Sequence, residues 1–295
     1  MKGTPDRRQF ALGAFSVIAC SRTRLPAPPA AGTGAPSSIA EIEQRVGRRV
    51  GVFAMDTGSG RELAHRADER FAMCSTFKWV LAAGILAGVD RAQLSLDDRV
   101  PYGPSDLLEY APFASQHAGE GSSTVADLAR AAVTVSDNTA ANLLLAKIGG
   151  PAALTQFVRS MGDAVTRLDR IEPDLNSNEP GDPRDTTSPR AMAGLMRRLL
   201  CEDALSAAGR ERLMSWLRDC ETGKDRLRAG LPATWIVGDK TGTGAHGATN
   251  DVAIAVPPGR APIVVAAYLS ESKAPLSALQ AASAQVGQLV GREFA

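Results

Sequence analysis

Strand-like segments stand near both ends of this chain and enclose a long, mainly helical middle. Short runs rich in β-branched or aromatic residues predict strands at 50–56, 235–240, 251–256 and 263–269, and a further short strand is predicted near 62–65. Apolar periodicity predicts helices at 39–46 and 276–290 and, between the two groups of strands, from about Ser75 to Asp219. Because strands on either side of a helical block need partners, we expect the two groups to pair in one antiparallel sheet.

This order of elements predicts the architecture. We expect an α/β part, formed by about 39–70 and 225–295, beside an all-α part, formed by about 71–224. The predicted fold class is therefore α/β, an antiparallel sheet flanked by helices from both chain ends plus an all-α subdomain. We expect the active site in the cleft between the two parts, together one catalytic domain at 39–295.

Charge and composition exclude several classes of function. The formal net charge is +1 and aromatic residues make up 5% of the chain, with no basic stripe of the kind that binds nucleic acid. The three histidines, His65, His117 and His246, are scattered without the spacing of metal ligands. We therefore expect no nucleic-acid partner, no metal and no cofactor, and a monomeric protein.

The first 20 residues resemble an export signal rather than part of the fold. Arg7 and Arg8 precede a short apolar run, as in twin-arginine signals. The residues up to Cys20 also resemble a lipobox, in which the cysteine is lipidated and tethers the protein to a membrane; the alternative is an ordinary cleaved signal. Residues 21–38, rich in Pro, Ala and Gly, are expected to form a flexible tether. We predict an exported, periplasmic protein.

Ser75 and Lys78 form a Ser-x-x-Lys motif at the start of a predicted buried helix. Three residues make nearly one helical turn, so the Lys78 amine can reach the Ser75 hydroxyl. A serine hydroxyl is a poor nucleophile and needs a neighbouring base. Backbone N–H groups at a helix N-terminus also favour developing negative charge. The alternative is a helix-capping Ser75 with a solvated Lys78.

Ser136-Asp137-Asn138 stands between two apolar helical segments. Residues of this kind hydrogen-bond their own backbone, and we assign that structural role to Asp137.

Lys240-Thr241-Gly242-Thr243 ends a predicted strand. Gly242 allows close approach of a ligand to the backbone, while a lysine and two hydroxyls suit a carboxylate. The alternative is an edge strand with a solvated lysine.

The segment from Arg170 to Asp185 contains Glu172, Asn176 and three prolines, and it lacks apolar periodicity. Such a stretch inside a compact domain is usually a functional loop or a disordered one. From the residues of this segment alone, we expect a solvated loop whose acidic side chains have no special role.

Together these motifs resemble those of the class A serine β-lactamases. Ser75, Ser136, Glu172 and Lys240 follow in that order, separated by 61, 36 and 68 residues. Ser-x-x-Lys, Ser-Asp-Asn and Lys-Thr-Gly form the signature of these enzymes and of penicillin-binding proteins. The resemblance extends from about Ile39 to the C-terminus.

The resemblance implies hydrolysis of the β-lactam amide bond of penicillins and cephalosporins through a serine acyl-enzyme, and hence antibiotic resistance. It implies catalytic roles for Ser75, Lys78, Ser136, Glu172 and Asn176. Ser75 attacks, Ser136 relays a proton to the leaving nitrogen, and Glu172 with Asn176 holds the hydrolytic water. Whether Lys78 or Glu172 accepts the first proton stays open.

The resemblance also implies a set of substrate-binding residues. They are Asn138, Lys240, Thr241, Thr243, Tyr110 and Arg226. The N–H groups of Ser75 and Thr243 form the oxyanion hole. Arg226 stands 14 residues before Lys240, a place from which a subset of the family supplies the guanidinium that supports binding of the substrate carboxylate. The family further implies a cis Glu172–Pro173 bond and an Arg170–Asp185 ion pair at the neck of the loop.

Cysteines are few for an exported protein. In carbapenem-hydrolysing relatives the position of Cys74 is often bridged to a cysteine where this chain has Gly244. We therefore expect Cys74 to be a free, buried thiol. Pairing of Cys201 with Cys220 stays open.

Three other functions share the nucleophile and the lysine: a D,D-peptidase, a β-lactam-sensing module that stays acylated, and a serine esterase. The loop that carries Glu172 and Asn176 argues against the first two.

Overall fold

The computed structural model describes residues 36–295, together with Met1 and Gly3. Apart from those two residues, the predicted export signal with Cys20 lies outside the described residues, as does the tether up to residue 35. In residues 36–295 no helix is both long and apolar enough to cross a membrane.

Strands from both ends of the chain form one five-stranded antiparallel sheet, as predicted. Its strands, in chain order, are β1 (Val50–Asp56), β2 (Glu62–His65), β7 (Ile236–Thr243), β8 (Thr249–Val256) and β9 (Ile263–Leu269). In space the order is β2-β1-β9-β8-β7. Strand β7 is therefore an edge strand, and its free edge is available to a neighbour.

Helices cover the two faces of this sheet. Along β9 successive side chains alternate between the faces, because side chains of a strand point alternately up and down. Val265 and Ala267 pack on one face with Val52 of β1, while Val264 and Ala266 pack on the other with Val252 of β8. The first face is covered by α1 (Ile39–Val46), α9 (Leu227–Gly230) and α10 (Leu276–Phe294).

The middle of the chain is mainly helical, as predicted. Its helices are α2 (Phe77–Asp90), α3 (Ala114–His117), α4 (Val125–Thr134), α5 (Asn138–Ile148), α6 (Pro151–Ser160), α7 (Pro189–Leu200) and α8 (Ala207–Arg218). Helix α2 is apolar around nearly its whole circumference, which is the pattern of a fully enclosed helix. The fold class of the sequence prediction is confirmed.

The middle also contains two short antiparallel strand pairs that the sequence pattern did not predict. Strand β3 (Phe71–Ala72) pairs with β6 (Thr186–Thr187), and β4 (Arg99–Pro101) pairs with β5 (Ser122–Thr124). Pairs of two or three residues are too short to produce a recognisable alternation.

Candidate active site

Ser75 lies in a tight helical turn, Cys74–Thr76, that runs directly into α2. Cys74 has a φ of +46°, a left-handed conformation that is costly for a residue other than glycine and frequent at functional sites. Strand β7 passes this turn at Gly242, where an added Cβ would lie 2.7 Å from the Met73 carbonyl oxygen and 3.2 Å from the Ser75 nitrogen. Gly242 therefore permits the close approach of β7 to the Ser75 N–H.

Lys78 is completely buried at the end of the cleft. Its Nζ lies 2.9 Å from Glu172 Oε1 and donates to the Ser136 carbonyl at 2.8 Å and to Asn138 Oδ1 at 2.5 Å. Burial lowers the pKa of Lys78, and the neighbouring Glu172 carboxylate opposes that shift. The alternative of a solvated Lys78 is wrong.

Glu172 meets both residues of the first motif. Its Oε1 accepts a hydrogen bond from Ser75 Oγ at 3.1 Å and faces Lys78, while its Oε2 accepts one from Asn176 Nδ2 at 2.5 Å. The Glu172–Pro173 bond is cis, as the family resemblance implied. One carboxylate thus bridges a hydroxyl, an ammonium and an amide in a site that solvent barely reaches.

Asn142 of α5 holds the backbone of Glu172 in place. Its Oδ1 accepts from the Glu172 N–H at 3.0 Å and its Nδ2 donates to the Glu172 carbonyl at 2.9 Å. Sequence reasoning missed this residue. The signal was an asparagine four residues after Asn138, a spacing that places both amides on the same side of α5.

Charged pairs and backbone bonds close the neck of the loop. Arg170 Nε donates to Asp185 Oδ2 at 2.6 Å, and Asp185 Oδ1 accepts the N–H groups of Asp169 and Arg170 at 2.7 and 2.9 Å. Asp185 is completely buried, so a partner for each oxygen is required. The predicted Arg170–Asp185 pair is confirmed.

The far side of the loop is fastened to the β7–β8 turn. The Asn176 carbonyl accepts from the Ala245 N–H at 2.9 Å. Asn178, which sequence reasoning also missed, donates through Nδ2 to the Ala245 carbonyl and to Ser270 Oγ, both at 3.0 Å. A Cβ on Gly244 would come within 2.7 Å of both Cys74 Sγ and the Asn176 carbonyl oxygen.

Ser136 contacts both lysines of the motifs: its carbonyl accepts from Lys78 Nζ, and its Oγ accepts from Lys240 Nζ. Lys240 Nζ donates to Ser136 Oγ at 3.0 Å and to the Thr241 carbonyl at 2.8 Å. Lys240 is 0% exposed, and burial lowers its pKa to about 8. The alternative of a solvated lysine on an edge strand is wrong here too.

Asp137 has the structural role that the sequence predicted. Its Oδ1 caps α5 by accepting from the Ala140 N–H at 2.8 Å, and its Oδ2 accepts from Phe113 and Ala114 N–H groups at 2.9 Å. The next N–H, that of Asn138, donates to the Tyr110 carbonyl at 3.0 Å. This bond holds the backbone of Tyr110 at the N-terminus of α5. Tyr110 is 50% exposed.

Arg226 lies behind the end of β7. It is only 4% exposed, and it donates to the Gly242 and Asn250 carbonyls at 2.8 and 2.6 Å and to Thr243 Oγ1 at 2.6 Å. Arg226 therefore fixes the strand and hydroxyl that are predicted to receive the substrate. The alternative of a solvated loop arginine is wrong for Arg226.

Arg228 contacts a buried residue of the sheet rather than the substrate-binding residues. Its Nε donates to Asp239 Oδ1 at 2.9 Å, and Asp239 is completely buried. Asp251, also completely buried, accepts from the Leu227 N–H at 3.0 Å. Burial raises the pKa of both carboxyl groups, and their partners hold the short helix α9 against β7 and β8.

All three cysteines in the described part of the chain are free. Cys74 is completely buried, as predicted, and burial raises the pKa of its thiol to about 12. Cys201 and Cys220 are not paired with one another. Across residues 36–295 no group of three or more His, Cys, Asp or Glu residues is suited to a metal ion.

Comparisons with known proteins agree with this geometry. The profile of the β-lactamase enzyme family matches residues 35–294. Beta-lactamase L2 of Stenotrophomonas maltophilia is 48% identical over 93% of this chain and 90% of its own length. The carbapenem-hydrolyzing β-lactamase KPC of Klebsiella oxytoca is 50% identical over 78% of each chain.

Solved structures give the same result. An ancestral class A β-lactamase superposes with a TM-score of 0.85 at 59% identity, covering 87% of this chain and 98% of the other. The putative class A β-lactamase PenP from Rhodopseudomonas palustris superposes with a TM-score of 0.85 at 52% identity and the same coverage. With its fold, its motifs and these relatives in agreement, the chain belongs to the class A β-lactamase family.

Proposed function

We propose that this protein hydrolyses the β-lactam amide bond of penicillins and cephalosporins and so confers resistance to them. One observation carries the proposal: Glu172 Oε1 lies 3.1 Å from Ser75 Oγ and 2.9 Å from Lys78 Nζ. Glu172, which can activate water, thus contacts both the nucleophile Ser75 and the candidate base Lys78.

Acylation begins when Ser75 Oγ attacks the lactam carbonyl. The Ser75 proton passes to Lys78 or, through a water, to Glu172; Ser75 Oγ lies 3.1 Å from Glu172 Oε1, which in turn lies 2.9 Å from Lys78 Nζ. The N–H groups of Ser75 and Thr243 receive the negative charge that develops on the carbonyl oxygen. The C–N bond then breaks, and Ser136, which contacts Lys240, passes its proton to the leaving nitrogen and regains one from the group that took the Ser75 proton.

Deacylation requires a water on the other side of the ester. Glu172 takes a proton from that water, and Asn176, hydrogen-bonded to Glu172 at 2.5 Å, orients it. The water oxygen bonds to the acyl carbon and the Ser75 ester bond breaks. The proton held by Glu172 then returns to Ser75 Oγ, which restores the Ser75 hydroxyl and the Glu172 carboxylate. The neck pair of Arg170 and Asp185 keeps the loop, and hence Glu172, in position.

Substrate binding uses residues of β7 next to Ser136. Lys240, Thr241 and Thr243 receive the carboxylate, with Arg226 holding Thr243 from behind. Asn138 binds the amide side chain of the substrate, and the exposed Tyr110 ring contacts the same side chain.

The rival functions make different use of the same nucleophile. A D,D-peptidase or a β-lactam-sensing module has no need of a carboxylate beside the nucleophile, because neither must hydrolyse a penicilloyl ester quickly. The position of Glu172 therefore favours turnover. We further propose that the protein is exported to the periplasm as a monomer, with Cys20 as the candidate lipid anchor.

A direct assay tests the function. We expect turnover of the chromogenic cephalosporin nitrocefin and of benzylpenicillin, with little cleavage of a simple ester or a D-alanyl-D-alanine peptide. Acylation by benzylpenicillin without turnover would instead favour a sensing module. Rates on an oxyimino-cephalosporin and a carbapenem would then define the substrate range.

A further inference from the structure

A pair of hydroxyl groups lies behind the proposed carboxylate site. Thr222 belongs to the loop between α8 and α9, which is anchored where the Glu221 N–H donates to the Thr134 carbonyl at 2.9 Å. Its Oγ1 lies 2.5 Å from Thr241 Oγ1. Thr241 is buried, whereas Thr222 is half-buried. Nothing in the catalytic scheme above uses Thr222.

Only one of these two hydroxyls can donate to the other, because each has a single proton. If Thr241 donates to Thr222, the lone pairs of Thr241 face the cleft and repel an anion. If Thr222 donates to Thr241, the Thr241 proton is free to donate to a carboxylate, and the hydrogen bond is of the stronger, charge-assisted kind.

The other neighbours of Thr222 decide between these arrangements. Its Oγ1 is also 3.4 Å from Cys220 Sγ, and sulfur is a weak acceptor. Burial raises the pKa of the Cys220 thiol, so it stays protonated and can donate to Thr222 or to nearby Asp239. Of the two protein atoms that contact Thr222 Oγ1, Thr241 Oγ1 is therefore the better acceptor for the Thr222 proton.

We propose that Thr222 is a positioning residue: it donates to Thr241 Oγ1 and thereby directs the Thr241 proton at the substrate carboxylate. Lys240 Nζ also donates to the Thr241 carbonyl at 2.8 Å and so fixes the backbone of Thr241. Thr222 therefore determines how well a β-lactam carboxylate binds without touching it. This inference rests on the proposed function, since it presumes that Thr241 receives that carboxylate.

Two variants and two substrates test the inference. Thr222→Val removes the hydroxyl at nearly constant shape, and Thr222→Ser keeps it. For benzylpenicillin we expect Thr222→Val to raise KM about threefold to tenfold, the scale of one net hydrogen bond, with kcat nearly unchanged. For benzylpenicillin methyl ester, which lacks the negative charge, kcat/KM should change less than about twofold. Thr222→Ser should restore the parent KM.

Other outcomes would overturn the inference. An unchanged KM for Thr222→Val, an equal loss on both substrates, or a loss that Thr222→Ser does not restore would each show that the Thr222 hydroxyl does not orient Thr241. Thr222→Ala serves if the valine variant does not fold, and Cys201→Ala, a half-buried thiol away from the cleft, is the matched control. A parent protein that fails to hydrolyse benzylpenicillin would overturn the proposed function itself, which is a separate result.

Discussion

Two completely buried lysines, Lys78 in α2 and Lys240 in β7, both contact Ser136, but their other neighbours differ. Lys78 lies 2.9 Å from the Glu172 carboxylate. Lys240 donates only to a hydroxyl and a carbonyl, and nearby Arg226 donates to two carbonyls and a hydroxyl. Among residues 36–295 neither Lys240 nor Arg226 has a carboxylate in direct contact.

This difference separates proton transfer from substrate binding. A buried ammonium beside a buried carboxylate is nearly neutral as a pair, and the carboxylate also accepts a hydrogen bond from Ser75, which connects the pair to the nucleophile. Buried Asp239 acts on Lys240 and Arg226 only from a distance. Buried cations without a carboxylate in contact are costly, and a substrate carboxylate supplies a counter-charge in direct contact. We therefore call the Ser75–Lys78–Glu172 group the proton-transfer side and the Lys240–Thr241–Thr243–Arg226 group the anion-binding side.

The largest effect is expected on the proton-transfer side. Ser75→Ala should abolish penicillin hydrolysis while leaving the fold intact, because the Ser75 hydroxyl is the covalent handle of the mechanism. Circular dichroism and the thermal midpoint should match the parent. Near-parental hydrolysis by folded Ser75→Ala would refute an acyl-enzyme at Ser75.

A smaller effect is expected from Arg226 on the anion-binding side. Arg226→Ala should reduce kcat/KM for benzylpenicillin by roughly 1–3 kcal/mol, mainly through KM, because it releases the Thr243 hydroxyl and removes a positive charge. Arg228→Ala is the matched comparison. It should change KM much less but lower the thermal midpoint, since it leaves buried Asp239 without its guanidinium. Equal and negligible effects of the two substitutions on KM would show that Lys240, Thr241 and Thr243 bind the carboxylate without a contribution from Arg226.

The pH dependence of binding sharpens the same comparison. The pKa of Lys240 is lowered to about 8, so Lys240 is a cation at neutral pH and loses its charge as the pH rises through about 8. We expect kcat/KM for benzylpenicillin to fall on that alkaline limb, because an uncharged Lys240 attracts the carboxylate less. In Lys240→Arg the limb should move to higher pH, since arginine keeps its charge. A limb that stays in place would assign it to another group.

The smallest effect concerns the thiols. Cys74 lies on the proton-transfer side and Cys220 near the anion-binding side, and both are free and buried. We expect reductant to leave the thermal midpoint unchanged and Cys74 to resist thiol reagents in the native protein, because burial keeps it as an unreactive thiol. A midpoint that drops on reduction would reveal a disulfide and contradict this.

Local patterns were enough to predict the main elements. The bounds of β1 and β9 were predicted to the residue, because their apolar runs are long enough to recognise, and β2 lies where a short strand was predicted near 62–65. The motif residues Ser75, Lys78, Ser136, Glu172 and Lys240 are linked by direct contacts in one site, as predicted. The subdomain boundaries near 70 and 225 remain a prediction.

What the sequence could not predict depends on contacts between distant parts of the chain. Asn142 bonds the Glu172 backbone 30 residues away, and Asn178 reaches Ser270 across 92 residues. A single polar residue inside an apolar helix or a loop has no periodicity that would show its partner. The same holds for Thr222, whose partner Thr241 is 19 residues away on β7.

The most direct test of the division between the two sides is the fate of the acyl-enzyme in Glu172→Ala. If Glu172 activates the hydrolytic water, the variant should still be acylated and then stall. Intact-mass spectrometry after mixing with benzylpenicillin should show the mass of protein plus one penicillin accumulating at Ser75, while the parent shows little adduct. Steady turnover by Glu172→Ala with no trapped adduct would contradict the account, because the water would then be activated by another group.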